Sequence, residues 1–222
     1  MAKNLFIAPT AIGSGLTSVC LGLLRALETE GVSVGFYKPF CQSVHEGEKQ
    51  HNDGRDTSVA FLRARSHLEP PEPMPLREAQ HLLNKGKADE LMETVVGEYQ
   101  KVADSVDVVV IEGLVPDQSE TYIGRLNVEV ARNLGSEVIL VATPEGRTAE
   151  VLDEELEFVA RLFQSSSNPE VIGVILNKVG EPPHSELSPQ INAETVEPDE
   201  DYATACKVFS DQRFRLLGMV PW

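Results

Sequence analysis

"NLFIAPTAIGSGLTS", Asn4 to Ser18, is the stretch on which the fold turns. Asn4–Ala8 is a short apolar run of the kind that makes a buried strand. Beyond the glycines, Leu16, Val19, Cys20, Leu23 and Leu27 recur at helical spacing, and Gly31 follows as a stop. Strand, glycine loop and helix in that order form the setting of a phosphate-binding loop. Gly13 and Gly15 let the backbone turn its N–H groups toward an anion, and a helix starting near Leu16 adds its positive end. Thr10, Ser14 and Ser18 add hydroxyls, and Thr17 sits where a hydroxyl would meet Mg²⁺. Two positions depart from the pattern. Pro9 replaces the usual first glycine, and Leu16 replaces the lysine that reaches the β- and γ-phosphates. An anion site and a bare strand-to-helix turn both remain open.

Five further apolar runs, "SVGFY", "DVVVIEG", "EVILVA", "VIGVILN" and "RLLGMV", resemble the first in showing little alternation. Strands of that kind are buried on both faces, as in a parallel sheet. Helical patterns lie between them: Leu126–Leu134 closed by Gly135, and the stripe Leu152, Leu156, Val159, Phe163 ended by "SSSNP". This alternation predicts an α/β fold, three-layer and doubly wound, with a mainly parallel sheet. The interval 42–105 is expected to be a loop and helical insertion after the second strand, with helices at Leu76–Asn84 and Ala88–Ala103. The whole of 1–222 is expected to form a single domain.

The net charge of −16 repels phosphate backbones and anionic membranes, so neither nucleic acid nor a membrane is expected as partner. No apolar run is long enough to span a bilayer. Cys20, Cys41 and Cys206 are scattered without metal spacing and suit a reducing, cytoplasmic setting. The segment 180–201 holds Glu181, Glu186, Glu194, Glu197, Asp199, Glu200 and Asp201 with four prolines, and no Lys or Arg falls between Lys178 and Lys207. It reads as an acidic, solvated loop. The five histidines show no metal spacing.

Ligands of doubly wound sheets bind at the carboxyl ends of the strands. Lys38 follows the second strand in "YKPFCQ", as an ordinary surface lysine or as a contact to phosphate or carboxylate. Asp53 and Asp56 precede a helix, as N-caps or, for Asp56, as a Mg²⁺ ligand through water. Glu112 leaves the third strand, where a carboxylate without a role would be desolvated without a partner. Asn177 and Lys178 follow the fifth, where an amide can match a purine edge or tie two loops together.

The segments "GLTSVCLGLLRALETEGVSVGFYKPFCQ", "VVVIEGLVP", "GVILNKV" and "LGMVPW" resemble the N-terminal domain of long-form bacterial phosphate acetyltransferases, a dethiobiotin synthetase-like type of P-loop NTPase-like domain. The resemblance runs from about Asn4 to Trp222, and that family's loop also resembles "GLTS". It implies a parent acyltransferase that interconverts acetyl-CoA and phosphate with acetyl phosphate and CoA through a C-terminal catalytic domain absent from this chain. The N-terminal part is then a regulatory and assembly domain, non-catalytic by itself. The partners implied are that catalytic domain, a homo-oligomer, and a nucleotide or small anionic metabolite. From the dethiobiotin synthetase-like family, Thr17, Asp56 and Glu112 carry over as Mg²⁺ positions, Lys38 as the substrate-side lysine and Asn177 as the base contact, with Mg-ATP or another nucleotide as ligand. Leu16 departs from that pattern and removes the clamp on transferring phosphoryl oxygens. The alternatives are a stand-alone ATP-dependent ligase of the dethiobiotin synthetase type and a purely structural oligomerisation module.

Overall fold

The computed structural model describes residues 2–42, 56–116, 122–164, 170–180 and 206–222. Asp53 and the acidic segment from 181 onward, including His184, lie outside the described residues, as does the "SSSN" that was expected to end a helix.

Each apolar run becomes a strand of one sheet: β1 (Lys3–Pro9), β2 (Val34–Tyr37), β5 (Val108–Glu112), β6 (Glu137–Ala142), β7 (Val171–Val179) and β8 (Leu216–Pro221). Their order is β2-β5-β1-β6-β7-β8, and every pairing is parallel. Alternate residues enter opposite cores. Phe6 and Ala8 of β1 pack with Ile111 and Leu140 on one face, while Leu5 and Ile7 pack with Val110 and Ile139 on the other. Burial on both faces explains why these runs show no polar alternation.

The second of those cores is covered by α1 (Leu16–Thr29) and α2 (Thr57–Arg65). The first is covered by α3 (Leu76–Asn84), α4 (Ala88–Ala103), α5 (Tyr122–Asn133) and α6 (Ala149–Gln164). The arrangement is the expected three-layer α/β sandwich. α1 buries Leu16, Val19, Cys20 and Leu24, and ends where Gly31 takes a φ of 79° and donates its N–H to Glu28 O.

Within the insertion, α3 and α4 stand at the expected bounds. One feature there carries no periodic signal. A two-residue parallel pair joins β3 (Phe40–Cys41) to β4 (Met74–Pro75), and it is too short to show any pattern. α5 begins at Tyr122 rather than near Leu126, because Ile123 is as deeply buried as Leu126 and extends the apolar face by a turn. A short helix α7 (Lys207–Ser210) precedes β8, and Asp153 of α6 accepts hydrogen bonds from the N–H groups of Lys207 and Val208.

Candidate functional site

The glycine loop opens at Pro9, the last residue of central strand β1, and closes at Leu16, the first of α1. Gly13 and Gly15 hold φ of 81° and 75°, values that a side chain would strain. Gly15 caps α1 without any side-chain bond, and no acidic residue lies in the helix's first turn. No side chain caps the start of α1, and its first N–H groups carry the positive end of the helix toward the loop. Ser14 is buried, and its Oγ has no hydrogen-bond partner among the described residues. The Asn177 amide at the end of β7 donates to Ser14 O over 2.8 Å and holds the loop in place. Asn177 therefore ties the end of β7 to the loop, a bracing role close to the loop-tying reading its position allowed. Leu16 is 4% exposed and packs into the core against β1, β5 and β6, not into the loop.

Beside the loop stands a compact polar cluster. Lys38, just past β2, places Nζ 2.9 Å from Asp56 Oδ2 and 2.8 Å from Glu112 Oε1, and donates to Ser58 Oγ over 3.0 Å. Glu112 Oε1 also accepts from Thr17 Oγ1 at 3.1 Å and Ser58 Oγ at 3.2 Å. Asp56 divides its carboxylate: Oδ1 caps α2 at Ser58 N and Val59 N, and Oδ2 faces Lys38. Both sequence readings of Asp56, cap and site residue, are thus compatible. The Lys38, Asp56 and Glu112 side chains are 12%, 7% and 3% exposed. The simple reading of Lys38 as a surface lysine is overturned: the insertion folds back over the strand end and buries it. Burial alone would lower its pKa, but the Glu112 and Asp56 charges outweigh that and raise it above 10.5. The same burial, reinforced by Glu112, pushes the neighbouring Cys20 thiol well above its usual range.

Paired amides stiffen the chain leaving β5. Asn127 of α5 accepts from Leu114 N and donates to Leu114 O, at 2.9 and 2.8 Å. Gln42 does the same for Val115, with both bonds at 2.8 Å. Glu112 is therefore presented from a backbone held on both sides.

One oxygen breaks the balance. Glu112 Oε2 is buried and has no hydrogen-bond partner among the described residues. Two carboxylates face a single ammonium, so the cluster carries uncompensated negative charge away from water. Thr17, Asp56 and Glu112 are all hard oxygen donors of the kind that bind Mg²⁺, and the orphaned oxygen fits a further positive charge. Among the described residues no group of three or more His, Cys, Asp or Glu side chains is placed to hold a metal. Any cation site here thus depends on the Thr17 hydroxyl together with the two carboxylates.

The other residues singled out lie apart. The Thr10 hydroxyl bonds to Glu155 of α6, which in turn pairs with Arg147 at 2.9 Å. Thr10 also lines a cavity of about 900 Å³ between α5 and α6, on the far side of the sheet from α1. Ser18 is exposed on α1. Lys178 adopts a φ of 60° and holds Nζ 3.7 Å from Glu145 and 4.7 Å from the centre of the Trp222 ring. Ser58 was not foreseen; its only sequence signal is a hydroxyl two residues past a capping aspartate. Gln42 and Asn127 gave none, because bracing amides follow no spacing.

An AAA domain family model matches residues 3–222. The phosphate acetyltransferase of Pseudomonas aeruginosa is 43% identical over 98% of this chain and 30% of its own length. Those of Haemophilus influenzae and Escherichia coli K12 are 32% and 30% identical over the whole chain and 31% of their lengths. The chain thus spans about 30% of the length of the curated relatives it matches. Among solved structures, a McdA–ATP complex from Cyanothece superposes with a TM-score of 0.57 at 16% identity, over 99% of this chain and 83% of that one. The signal recognition particle 54 kDa protein of Aeropyrum pernix K1, in complex with GDP, gives 0.54 at 13%, over 100% and 42%. At such identities the likeness is one of fold. No described helix is long and apolar enough to cross a membrane.

Proposed function

The chain belongs to the AAA domain family and forms the P-loop domain found in the N-terminal part of phosphate acetyltransferases, and on that premise we propose that it is their sensing module. In this reading it binds a nucleotide or small anionic metabolite at the Gly13–Thr17 loop and biases a C-terminal domain that interconverts acetyl-CoA and phosphate with acetyl phosphate and CoA. The domain works in the cytoplasm as part of a homo-oligomer, with neither nucleic acid nor membrane as partner.

The observation that carries this reading is the contrast at the loop. What supports anion binding is a loop with two left-handed glycines, an uncapped helix start, an orphaned Ser14 hydroxyl and a buttress from Asn177. The part that drives phosphoryl transfer is missing, because Leu16 is apolar and turned into the core. Phosphoryl transfer depends mainly on positioning and on charge placed at the transferring oxygens. A leucine supplies neither charge nor donor. Binding without turnover suits a sensor, whose only requirement is different affinity in two states of the parent.

Mg²⁺, when bound, would lie against Thr17, Asp56 and Glu112 and neutralise phosphate charge. Lys38 and Ser58 hold those carboxylates in place, and Asn177 keeps the loop open for the ligand.

Calorimetric titration with ATP tests the reading. The wild type binds at millimolar ligand or below, Gly15→Asp abolishes the heat, and no hydrolysis accompanies binding. Absence of heat in the wild type would leave the loop without a ligand and move the domain's purpose to assembly. Turnover of MgATP with a carboxylate substrate would instead make it a ligase.

A further inference from the structure

A cation already sits on the oxygens that read as cation ligands, and this inference rests on that reading of Thr17, Asp56 and Glu112. Lys38 directs its three ammonium donors to Asp56 Oδ2, Glu112 Oε1 and Ser58 Oγ. Glu112 Oε1 is also the oxygen that Thr17 engages. An ammonium and a divalent ion compete for these oxygens, since two like charges a few ångströms apart in a poorly solvated site repel strongly. Yet one ammonium does not cover two carboxylates, and Glu112 Oε2 is left buried without a partner. The cluster is closed by a cation whose charge is one short.

The geometry points to a cation exchange: Lys38 seals the Asp56–Glu112 pair while the loop holds no anion, and gives up that place to a divalent cation as it turns to the anion. The movement is short. Thr17 lies two residues past Gly15, and its hydroxyl meets the same Glu112 oxygen as Lys38. Pro39 stiffens the backbone next to Lys38, so side-chain torsions carry the change. An anion at the loop draws the ammonium off the carboxylates and eases entry of the cation. Entry of the cation drives the ammonium toward the anion by the same factor, as linkage requires. Lys38 thereby brings to the loop, from β2, the positive charge that Leu16 does not supply.

The test uses Mn²⁺ as probe on the full chain without nucleotide, so a failure of the loop to bind ATP cannot affect it. Free Mn²⁺ is read by electron paramagnetic resonance. Lys38→Met binds Mn²⁺ at least about tenfold more tightly than wild type, because the competing charge is gone. Lys38→Arg stays as weak as wild type, and Glu112→Gln in the Lys38→Met background removes the gain. Equal or weaker binding by Lys38→Met, in a site still sensitive to Glu112→Gln, overturns the exchange and leaves the cation site standing. No Mn²⁺ binding by either protein overturns both. If Lys38→Met does not fold, the wild type decides. Reductive methylation of Lys38, mapped by peptide mass, speeds up at least about tenfold on adding saturating Mn²⁺ without nucleotide, as the ammonium leaves its shielded place. An unchanged rate overturns the exchange.

Discussion

Asn177 donates its side-chain N–H to the carbonyl of Ser14 over 2.8 Å, joining β7 to the glycine loop across 163 residues of sequence. The amide stands so close to Gly15 that a Cβ there would collide with Nδ2, and Gly15 holds a φ of 75° that disfavours any side chain. Loop shape thus depends on two separate conditions, one of backbone angle and one of space.

Those conditions can be separated by urea unfolding. Gly15→Ala loses about 1–2 kcal/mol from the left-handed backbone alone, and more from the collision. Asn177→Ala removes the colliding group, so the double variant loses less than the two single losses added together. Additivity to within about 0.5 kcal/mol would show that the contact does not constrain the loop.

Lys38 and Glu112 form a pair that salt should hardly weaken, because both ends are buried. Lys38→Met leaves two carboxylates unpaired and destabilises by about 3–5 kcal/mol. Adding Glu112→Gln restores part of that loss, since it removes the charge left stranded. A double-mutant cycle with no coupling in either low or high salt would show the pair to be energetically idle.

Leu16→Lys puts the lysine of a working phosphate loop back into the sequence but not into the site. Leu16 is 4% exposed among apolar side chains, so its replacement costs about 1.5–3 kcal/mol of burial and lowers the melting temperature. MgATP hydrolysis stays at the level of the buffer. Appreciable turnover by this variant would mean that the loop had lost nothing but one side chain.

Alkali should destabilise the fold through its buried thiols. The Cys206 pKa is pushed from 9.0 up to about 11 by burial and then by Asp153 and Glu150, and Cys20 is raised for the same first reason. A raised pKa means that the native state keeps a proton the unfolded chain has already lost. The stabilisation is therefore complete below pH 9.0 and drains away as pH rises toward about 11. Cys206→Ala flattens the fall in unfolding free energy over that window. An unchanged slope would remove Cys206 from the account.

Much of the site was visible as residue types at strand ends. Thr17, Lys38, Asp56 and Glu112 were each placed beyond an apolar run, and the fold does bring them within hydrogen-bonding reach of one another. What stayed hidden was the pairing. Lys38 alone looks like a surface lysine, because nothing in "YKPFCQ" reveals that the insertion will bury it. Ser58, Gln42 and Asn127 were hidden for a similar reason: their partners lie in other elements, 13 or more residues away, and such contacts impose no spacing.

The sequence by itself determined the six strands of the large sheet, the main helices between them and the glycine loop at the head of α1. Hydrophobic periodicity and the backbone freedom of glycine are local properties, written in adjacent residues. Only the tertiary structure decided that Leu16 turns into the core, that Asn177 braces the loop, and that Lys38 sits between Asp56 and Glu112 with one carboxylate oxygen left over. Charge interactions act through space and depend on burial. Both quantities exist only after the sheet has brought the ends of β1, β2, β5 and β7 to one edge.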